Sequence, residues 1–330
     1  MKSWNVLVAA MCWIGCDSTS HSDRIINPLL STGADPWIIH YQDTFLYCYS
    51  RGDRIGLKLV KRLSELEKAE ERIIWKAQPA TDHSKEIWAP ELHFLAGKWY
   101  VYFAADDGEN AHHRMHILSS ATKDIRSEFS YLGVLSDPSD QWAIDGTVLN
   151  FRDTLYFIWS GWEGAVNGQQ NLYIARMDGP SKINSDRILI SSPEYDWERR
   201  GSSTELPTIN EGPEVLKKSN RVYIIYSASG SWSDDYCLGL LELTGEEPLN
   251  PNSWKKWEHP VFTGTDEVIS PGHCSFLRIR DQDYIVYHHS KYRGAGWKRE
   301  VSIQPFYWND TGPDFGVPRP NGSTVDVRMR

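Results

Sequence analysis

A hairpin pattern that occurs three times is the feature of this sequence that most constrains its fold. In each copy an acidic residue lies at a Gly or Pro corner, and a short apolar run, a polar turn and an alternating aromatic and aliphatic run follow it. The copies lie at residues 34–50, 144–160 and 208–227. Apolar alternation on both sides of a polar turn is typical of paired antiparallel strands. The pattern therefore predicts a chain of short strands and tight turns.

The same pattern has a regular spacing, which indicates an internal repeat. The aromatic residues near the ends of the second predicted strands are 54 to 67 positions apart, about the length of a four-stranded propeller blade with its loops. Residues 63–74 show weak helical periodicity and are equally compatible with a loop beside a strand. We predict an all-β fold, a five-bladed β-propeller over residues 17–330. The five aromatic positions are Tyr49, Phe103, Trp159, Tyr226 and Tyr287.

The amino-acid composition limits the size of the core and the class of partner. With 330 residues, 40% of them hydrophobic, the chain can bury a large core in one all-β domain or in two smaller units. Its net charge of -9 and the lack of a long basic run argue against nucleic acid as a partner. The 15 Trp and 16 Tyr favour strands, and aromatic rings of this kind also stack on sugars.

The N-terminus resembles a bacterial export signal. Lys2 precedes an apolar stretch at residues 6–14, which is too short to span a bilayer and fits the apolar region of a signal peptide. Residues 13–16 and the polar segment after them resemble a lipobox with Cys16 as the lipidated first mature residue. The alternative is an ordinary signal peptide with a coincidental cysteine. We predict a signal peptide at residues 1–16 and an exported bacterial lipoprotein, periplasmic, outer-membrane or at the cell surface, anchored only through Cys16.

The cysteines beyond this segment predict no covalent framework. Three remain after Cys16, and an odd number in an exported chain gives no complete set of disulfides. We therefore expect Cys48, Cys237 and Cys274 to pack as small apolar side chains.

The equivalent positions at the start of the first strand of the five predicted blades are mostly polar. Because these strands line the central channel of a propeller, residues there should converge at one mouth of the channel. A single acid at such a corner is more often a turn residue, but an ordinary turn does not require several acids to face one another. Glycoside hydrolysis needs one carboxylic acid and one carboxylate, and a third can raise the pKa of the acid. These positions hold Asp35, the Trp88-Ala89-Pro90-Glu91 corner, Asp145, Glu211 and His273.

Five motifs in chain order resemble glycoside hydrolase family 43. The resemblance implies a five-bladed propeller and an inverting mechanism, with Asp35 as general base, Asp145 as pKa modulator and orienting residue, and Glu211 as general acid. Glu214 does not match the acid of the motif, and we expect it to have a packing or turn role. The motifs are Asp35-Pro36-Trp37, Trp88-Ala89-Pro90-Glu91, Ile144-Asp145-Gly146-Thr147, Glu211-Gly212-Pro213 and Gly272-His273-x-Ser275-Phe276.

The same resemblance suggests further site residues. His273 is similar to a histidine that helps to hold a hydrated ion, often calcium, at the channel axis; the alternative is a core histidine without metal, since calcium prefers oxygen ligands. Many members of the family carry Asn where this chain has Cys274. Trp37 and Trp88 would form an aromatic wall of a sugar pocket, or simply pack near the axis. Arg299 would contact a substrate hydroxyl and tune the acids, or be a surface charge.

The segment from Glu211 to residue 240 most resembles the family branches that act on α-L-arabinofuranosides. β-Xylosidases, endo-arabinanases and exo-galactanases of the same family are alternatives. The short segment after Trp308 favours an exo-acting pocket, and we expect a monomer acting on an arabinose- or xylose-containing saccharide. Fructosidases share the five-bladed fold, but the flanking Asn and Gly of their opening motif are missing around Asp35. The alternative outside enzymes is an inactive propeller that binds glycan.

Overall fold

The computed structural model describes residues 22–328, which form a ring of five antiparallel sheets. The predicted signal peptide and Cys16 lie outside the described residues. The predicted all-β, five-bladed propeller is confirmed. Within residues 22–328 no helix is long and apolar enough to cross a membrane. The helical segments of this range are short 3-10 turns at Leu63–Lys68, Asn110–His112, Asp196–Glu198 and Pro251–Ser253.

Twenty-two strands are described, and each blade uses four of them in succession. They are β1 (Ser22–Ile26), β2 (Trp37–Tyr41), β3 (Thr44–Ser50), β4 (Arg54–Val60), β5 (Arg72–Lys76), β6 (Lys85–Leu95), β7 (Lys98–Asp106), β8 (Arg114–Ser120), β9 (Phe129–Val134), β10 (Ala143–Phe151), β11 (Thr154–Trp162), β12 (Gln169–Arg176), β13 (Ile188–Ser191), β14 (Thr208–Lys218), β15 (Arg221–Ala228), β16 (Cys237–Leu243), β17 (Trp254–Lys256), β18 (Ile269–Ile279), β19 (Gln282–Ser290), β20 (Arg299–Trp308), β21 (Pro313–Asp314) and β22 (Thr324–Arg328).

Blade 1 contains β2 to β5, blade 2 β6 to β9, blade 3 β10 to β13, blade 4 β14 to β17 and blade 5 β18 to β21. The first strands of neighbouring blades contact one another around the ring, from β2 through β6, β10 and β14 to β18 and back to β2. They therefore line the channel, as predicted. Blades 3 and 4 are also joined by a short parallel pairing of Gln169 and Gln170 with Thr208 and Ile209.

The two ends of the described chain meet and close the ring. β1 pairs antiparallel with β22, from Ser22 opposite Arg328 to Ile26 opposite Thr324. The buried side chains of this pair, including Ile25 and Val327, pack in the same apolar cluster as residues of blades 1 and 5. The pair thus covers the junction between the first blade and the last.

The hydrophobic core consists of five clusters, one at each interface between adjacent blades. Neighbouring residues of β3 show how the sequence builds them, because successive side chains of a strand point to opposite faces. Phe45 and Tyr47 enter the cluster shared with blade 5, whereas Leu46 and Cys48 enter the cluster shared with blade 2. Each blade is therefore buried on both faces, which explains the high aromatic content.

Two smaller predictions can also be compared with the structure. Cys48, Cys237 and Cys274 are buried and free, as expected for small apolar side chains. The segment with weak helical periodicity forms a 3-10 turn at Leu63–Lys68, anchored by two buried leucines, and then β5. It is therefore a connection beside a strand and not a longer helix.

Candidate active site

The channel-lining strands have irregular backbones where they begin. Every blade has at least one residue with a positive φ angle there, and the antiparallel register shifts at the same place in blades 2 to 5. Bulges of this kind redirect side chains, and left-handed non-glycine residues are strained and cluster at functional sites. The φ angles are 48° for Asp35, 41° for Ala89, 54° for Asp145, 54° for Gly212 and 36° for His273.

Asp35 precedes β2, and its carboxylate is held by cations. Oδ1 lies 3.1 Å from Nδ1 of His273 and 3.6 Å from the Arg299 guanidinium. Burial alone raises the pKa of Asp35, but the charge and hydrogen bond of His273 outweigh it and hold this pKa well below its ordinary value. With 24% of its side chain exposed, Asp35 is an ionised carboxylate with access to the channel mouth.

His288 also touches Asp35 but contributes differently. The backbone N–H of Asp35 donates to Nδ1 of His288 over 3.0 Å, and the same nitrogen lies 3.3 Å from Oδ1. Burial lowers the pKa of His288 to about 3, so the ring is neutral. Because Nδ1 already accepts a hydrogen bond, the ring proton is on Nε2. Nδ1 therefore has no proton to donate to Oδ1 of Asp35. We therefore attribute the low pKa of Asp35 mainly to His273, and His288 fixes the backbone of the strained residue.

Asp145 lies in the bulge of β10 and is only 6% exposed. Its Oδ2 accepts a hydrogen bond from the backbone N–H of Gly212 over 3.0 Å and lies 3.9 Å from Nδ1 of His273. Burial raises the pKa of Asp145 to about 6; His273 opposes this shift and Asp35 adds to it. The contact with Gly212 ties Asp145 to the residue that follows Glu211 in the chain.

Glu211 lies in the bulge of β14 and is 8% exposed. The hydroxyl of Tyr236 donates to its Oε1 over 2.7 Å. Burial raises the pKa of Glu211 to about 7, with a further increase from the charge of Asp145. Our sequence analysis assigned such a rise to like-charge repulsion, and the structure shows that burial is the larger cause. Glu211 is therefore the carboxyl of this site that retains a proton near neutral pH.

Two cations lie among the three acids. His273 has its Nδ1 between Asp35 and Asp145, and although burial lowers its pKa, these two carboxylates raise the pKa to about 9. The Arg299 guanidinium donates from Nη2 to the carbonyl of Ser231 over 2.8 Å and lies 5.8 Å from the ring centroid of Tyr236. The positive charge of Arg299 lowers the pKa of Asp145 and Glu211. Arg299 is thus buried against the acids and is not a surface charge.

A second pair of acids lies further along the channel strands. Glu91 and Glu214 are both buried, and burial raises the pKa of each well above 4.5. The charge of Glu214 raises the pKa of Glu91 further, and Glu91 Oε2 lies 2.8 Å from Nε2 of His93. Burial also lowers the pKa of His93 to about 3, so this group of residues is neutral. Glu214 therefore belongs to the channel interior, in agreement with its predicted packing role.

The two predicted pocket tryptophans have different surroundings. Trp37 is buried between blades 1 and 2, donates its indole N–H to the carbonyl of Leu92 and packs on His93 with ring centroids 4.7 Å apart. Trp88 is half-buried and stacks on His113 at 4.0 Å. One face of Trp88 is thus supported from behind, which suits an aromatic wall, whereas the contacts of Trp37 are those of a packing residue. A substrate contact for either ring stays a prediction.

Two residues of the site, Tyr236 and His288, were not predicted from the sequence. Tyr236 is 1% exposed and its ring is parallel to that of His288, with centroids 5.7 Å apart. Tyr236 therefore connects Glu211 to the histidine that holds the backbone of Asp35. Tyr236 lies outside the repeated positions, and although His288 directly follows the repeated aromatic position Tyr287, no other blade has a histidine there. The repeat therefore gave no signal for them.

A propeller whose channel mouth holds one carboxyl with a lowered pKa and another with a raised pKa has the pair of groups that glycoside hydrolases use. The chain belongs to glycosyl hydrolases family 43, since the model of that family matches residues 25–313. The family that the five motifs predicted is therefore confirmed.

Several known proteins are similar to this chain over most of its length. The crystal structure of an α-L-arabinofuranosidase from Lactobacillus brevis is 34% identical, with a TM-score of 0.82 over 90% of this chain and 98% of that one. α-L-Arabinofuranosidase 43 of Humicola insolens is 32% identical over 98% of this chain and 69% of its own length. The extracellular exo-α-(1→5)-L-arabinofuranosidase of Streptomyces chartreusis is 34% identical over 81% of this chain and 83% of its own length.

Proposed function

We propose that this protein is an exported α-L-arabinofuranosidase that removes terminal arabinofuranosyl residues from arabinose-containing saccharides with inversion of configuration. The observation that carries the proposal is the opposite protonation preference of Asp35 and Glu211 within one site. An inverting glycosidase requires such a pair of groups, one ionised base and one protonated acid. The sugar is inferred from relatives named arabinofuranosidases, which are 32% and 34% identical to the chain.

The proposed reaction is a single displacement. Asp35 removes a proton from a water molecule, and the water oxygen forms a bond to the anomeric carbon. The bond between that carbon and the leaving oxygen breaks with its electron pair on the oxygen, which receives the proton of Glu211. Asp145 orients Glu211 through the backbone N–H of Gly212 and adds to its raised pKa. After each turnover Asp35 is protonated and Glu211 is ionised. Proton exchange with solvent returns both groups to their starting states.

Three further residues would position the reacting groups. The hydrogen bond from Tyr236 occupies Oε1 of Glu211, so the transferable proton is on Oε2. Arg299 lies beside Asp35, where its guanidinium would donate to a sugar hydroxyl and would stabilise the carboxylate. Trp88 would pack its free face against the sugar, and Trp37 would support this wall from inside the blade interface.

His273 also fits the role of single protein ligand to a hydrated calcium ion. Its Nδ1 faces Asp35, which leaves Nε2 as the ring nitrogen that would bind the ion. Carboxylate partners of this kind orient metal-binding histidines. Within residues 22–328 no group of three or more His, Cys, Asp or Glu side chains is arranged to hold a metal, so water would supply the other ligands. The bound ion would add positive charge that favours the ionised form of Asp35.

The ion and a proton would compete for the lone pair of Nε2. Asp35 and Asp145 raise the pKa of His273 to about 9, so the ring keeps this proton at neutral pH. We therefore expect calcium to bind more tightly at about pH 9 than at about pH 7. Calorimetric titration of the EDTA-treated protein, with His273→Ala as control, measures this directly. Equal binding by the wild type and the variant would remove His273 from the site.

The finer predictions on location and assembly are part of the same proposal. The relative from Streptomyces chartreusis is named extracellular, which supports export of this chain. If Cys16 carries a lipid anchor, the wild-type protein should be found in the bacterial membrane fraction and the Cys16→Ser variant in the soluble fraction. Light scattering of the purified protein should give the mass of a monomer.

Substitution of the proposed acid tests the function. Glu211→Gln keeps the shape of the side chain but removes its proton, and we expect kcat on an aryl α-L-arabinofuranoside to fall about 10²- to 10⁴-fold. The loss should be larger for a poor leaving group, which needs protonation, than for a nitrophenol. Glu214→Gln, a buried glutamate of the same strand, is the matched control. Full activity of Glu211→Gln would refute its assignment, and a panel of aryl glycosides would reveal a xylosidase or galactanase instead.

The stereochemistry tests the proposed base. NMR of the first-formed arabinose should show the β anomer, opposite to the α configuration of the substrate. Retention would show that a carboxylate attacks the sugar directly and would exclude Asp35 as a base acting on water.

A further inference from the structure

A large cavity lies on the mouth side of the propeller between blades 4 and 5. Its volume is about 790 Å³, within the range of roughly 300–1,000 Å³ that is usual for ligand sites. Its lining comes from the connections before β14 and β18 and from the β15–β16 and β19–β20 loops. None of the three proposed catalytic carboxyls lines it. Six of the residues that do are Trp197, Arg200, Asp235, His259, Asp266 and Arg293.

One segment of chain separates this cavity from the proposed acid. Asp235 and Cys237 line the cavity, and Tyr236 between them donates its hydroxyl to Glu211. Three successive residues where the chain enters β16 thus alternate between the cavity and the acid, so the cavity and the acid lie on opposite sides of the same backbone. A ligand in the cavity would therefore lie next to the catalytic centre without entering it.

Trp197 contributes to the cavity wall an aromatic ring that is held in position by its neighbours. Its indole N–H donates to the carbonyl of Glu258 over 2.9 Å, and its ring lies across β16 at Gly239. A Cβ at Gly239 would come within 2.4 Å of Cζ of Tyr226 and 2.8 Å of Cη2 of Trp197, so both rings need a residue without a side chain there. Trp197 is half-buried, and its position is thus set before any ligand arrives.

Both arginines of the cavity lie beside a carboxylate, and its third carboxylate, Asp234, accepts a hydrogen bond from the backbone N–H of Gly294 over 2.8 Å. Arg200 lies 3.4 Å from Asp235, and Arg293 lies 2.9 Å from Asp266. Since both cations already face a carboxylate, the cavity offers no unpaired positive charge to a phosphate or a uronate. It instead presents many hydrogen-bond donors and acceptors beside an aromatic ring, and a neutral polyhydroxyl ligand matches this chemistry.

We propose that this cavity is a second saccharide-binding site, which holds a neutral pentosyl chain on Trp197 while a terminal sugar occupies the catalytic centre. The choice of pentosyl chain rests on the proposed arabinofuranosidase function. The bound chain would be the remainder of the molecule under hydrolysis or a neighbouring chain of the same polymer. In both cases the site would raise the affinity for polymeric substrate and have no effect on a small aryl glycoside.

Binding and kinetics of Trp197 variants test the proposal. In the Glu211→Gln background, Trp197→Ala should weaken calorimetric binding of α-(1→5)-arabinohexaose about tenfold, and Trp197→Phe, which keeps an aromatic face, should weaken it much less. In the otherwise wild-type protein, Trp197→Ala should raise KM for linear arabinan about tenfold and leave kcat/KM for an aryl arabinofuranoside unchanged. Tyr307→Ala removes an exposed aromatic ring, 61% accessible, that does not line the cavity and is the control.

Further measurements separate the possible outcomes. A series from arabinobiose to arabinohexaose distinguishes the two sources of the chain, because only the remainder of the same molecule gives an effect that depends on length. His259→Ala, an exposed and therefore tolerated change, should also weaken hexaose binding. Unchanged hexaose binding in both Trp197→Ala and His259→Ala would overturn the proposal, as would equal losses on arabinan and the aryl substrate in folded His259→Ala. Failure of the wild type to hydrolyse any arabinofuranoside would refute the proposed function but leave Trp197-dependent binding measurable.

Discussion

Removal of the Tyr236 hydroxyl provides a quantitative test of how the site controls its acid. The hydroxyl donates to Oε1 of Glu211 over 2.7 Å, and this hydrogen bond favours the ionised carboxylate. It therefore holds the pKa of Glu211 below the value that burial and Asp145 would set without it. Tyr236→Phe removes only the donor, since the remaining ring can keep its packing on His288.

The size of the change follows from the strength of such a bond. A hydrogen bond to a charged group contributes about 1.5–3 kcal/mol, and one pKa unit corresponds to about 1.4 kcal/mol. The pKa of Glu211 should therefore rise from about 7 by about one to two units, with the lower value expected if water replaces the hydroxyl. His273 and Arg299, which also lower this pKa, and Asp145, which raises it, remain in place.

The pH dependence of kcat/KM on an aryl arabinofuranoside measures this shift, because it reports the groups of the free enzyme. On the alkaline side, kcat/KM falls because Glu211 loses its proton. This fall should occur at a higher pH in Tyr236→Phe. The limb on the acidic side belongs to Asp35 and should not move. Tyr287→Phe removes another buried hydroxyl, one that donates to Gln304, and should leave both limbs unchanged. An alkaline limb that stays in place or moves downward in Tyr236→Phe would refute the reasoning.

Three further substitutions test other parts of the structure. Burial raises the pKa of Glu214, so the folded state binds more protons than the unfolded state and stability falls as pH rises above 4.5. Glu214→Gln removes this loss. The free energy of unfolding of the variant in urea, relative to that of the wild type, should therefore be higher at about pH 8 than at about pH 5. A Cβ at Gly146 would lie 2.1 Å from the Phe157 ring, so Gly146→Ala should lower stability by about 1–3 kcal/mol, and an unchanged melting temperature would contradict this packing. Trp88→Ala should raise KM for the aryl arabinofuranoside with little change in kcat, and an unchanged KM would exclude Trp88 from the pocket wall.

The sequence was sufficient to predict the blades and the residues at the channel mouth. Alternating strands put their side chains on two faces, so β3 alone shows that a blade is buried on both sides. The Asp-Gly and Gly-Pro corners mark places where channel strands bulge, the Asp-Pro corner comes directly before β2, and all three are local features of the chain. The positions of Asp35, Asp145 and Glu211 could be read from the sequence because they repeat with the blades.

Only the tertiary structure assigns the protonation states and the residues that control them. The hydrogen bond between Asp35 and His288 joins positions 253 residues apart, and the bond between Tyr236 and Glu211 joins positions 25 residues apart. No local pattern specifies such contacts, because neither the tyrosine at 236 nor the histidine at 288 recurs in the other blades. The cavity at Trp197 is likewise built from four connections that meet only in the folded ring. Sequence thus determined which carboxyl groups converge, whereas burial and long-range contacts decided which of them ionises, because a pKa depends on surroundings that only folding creates.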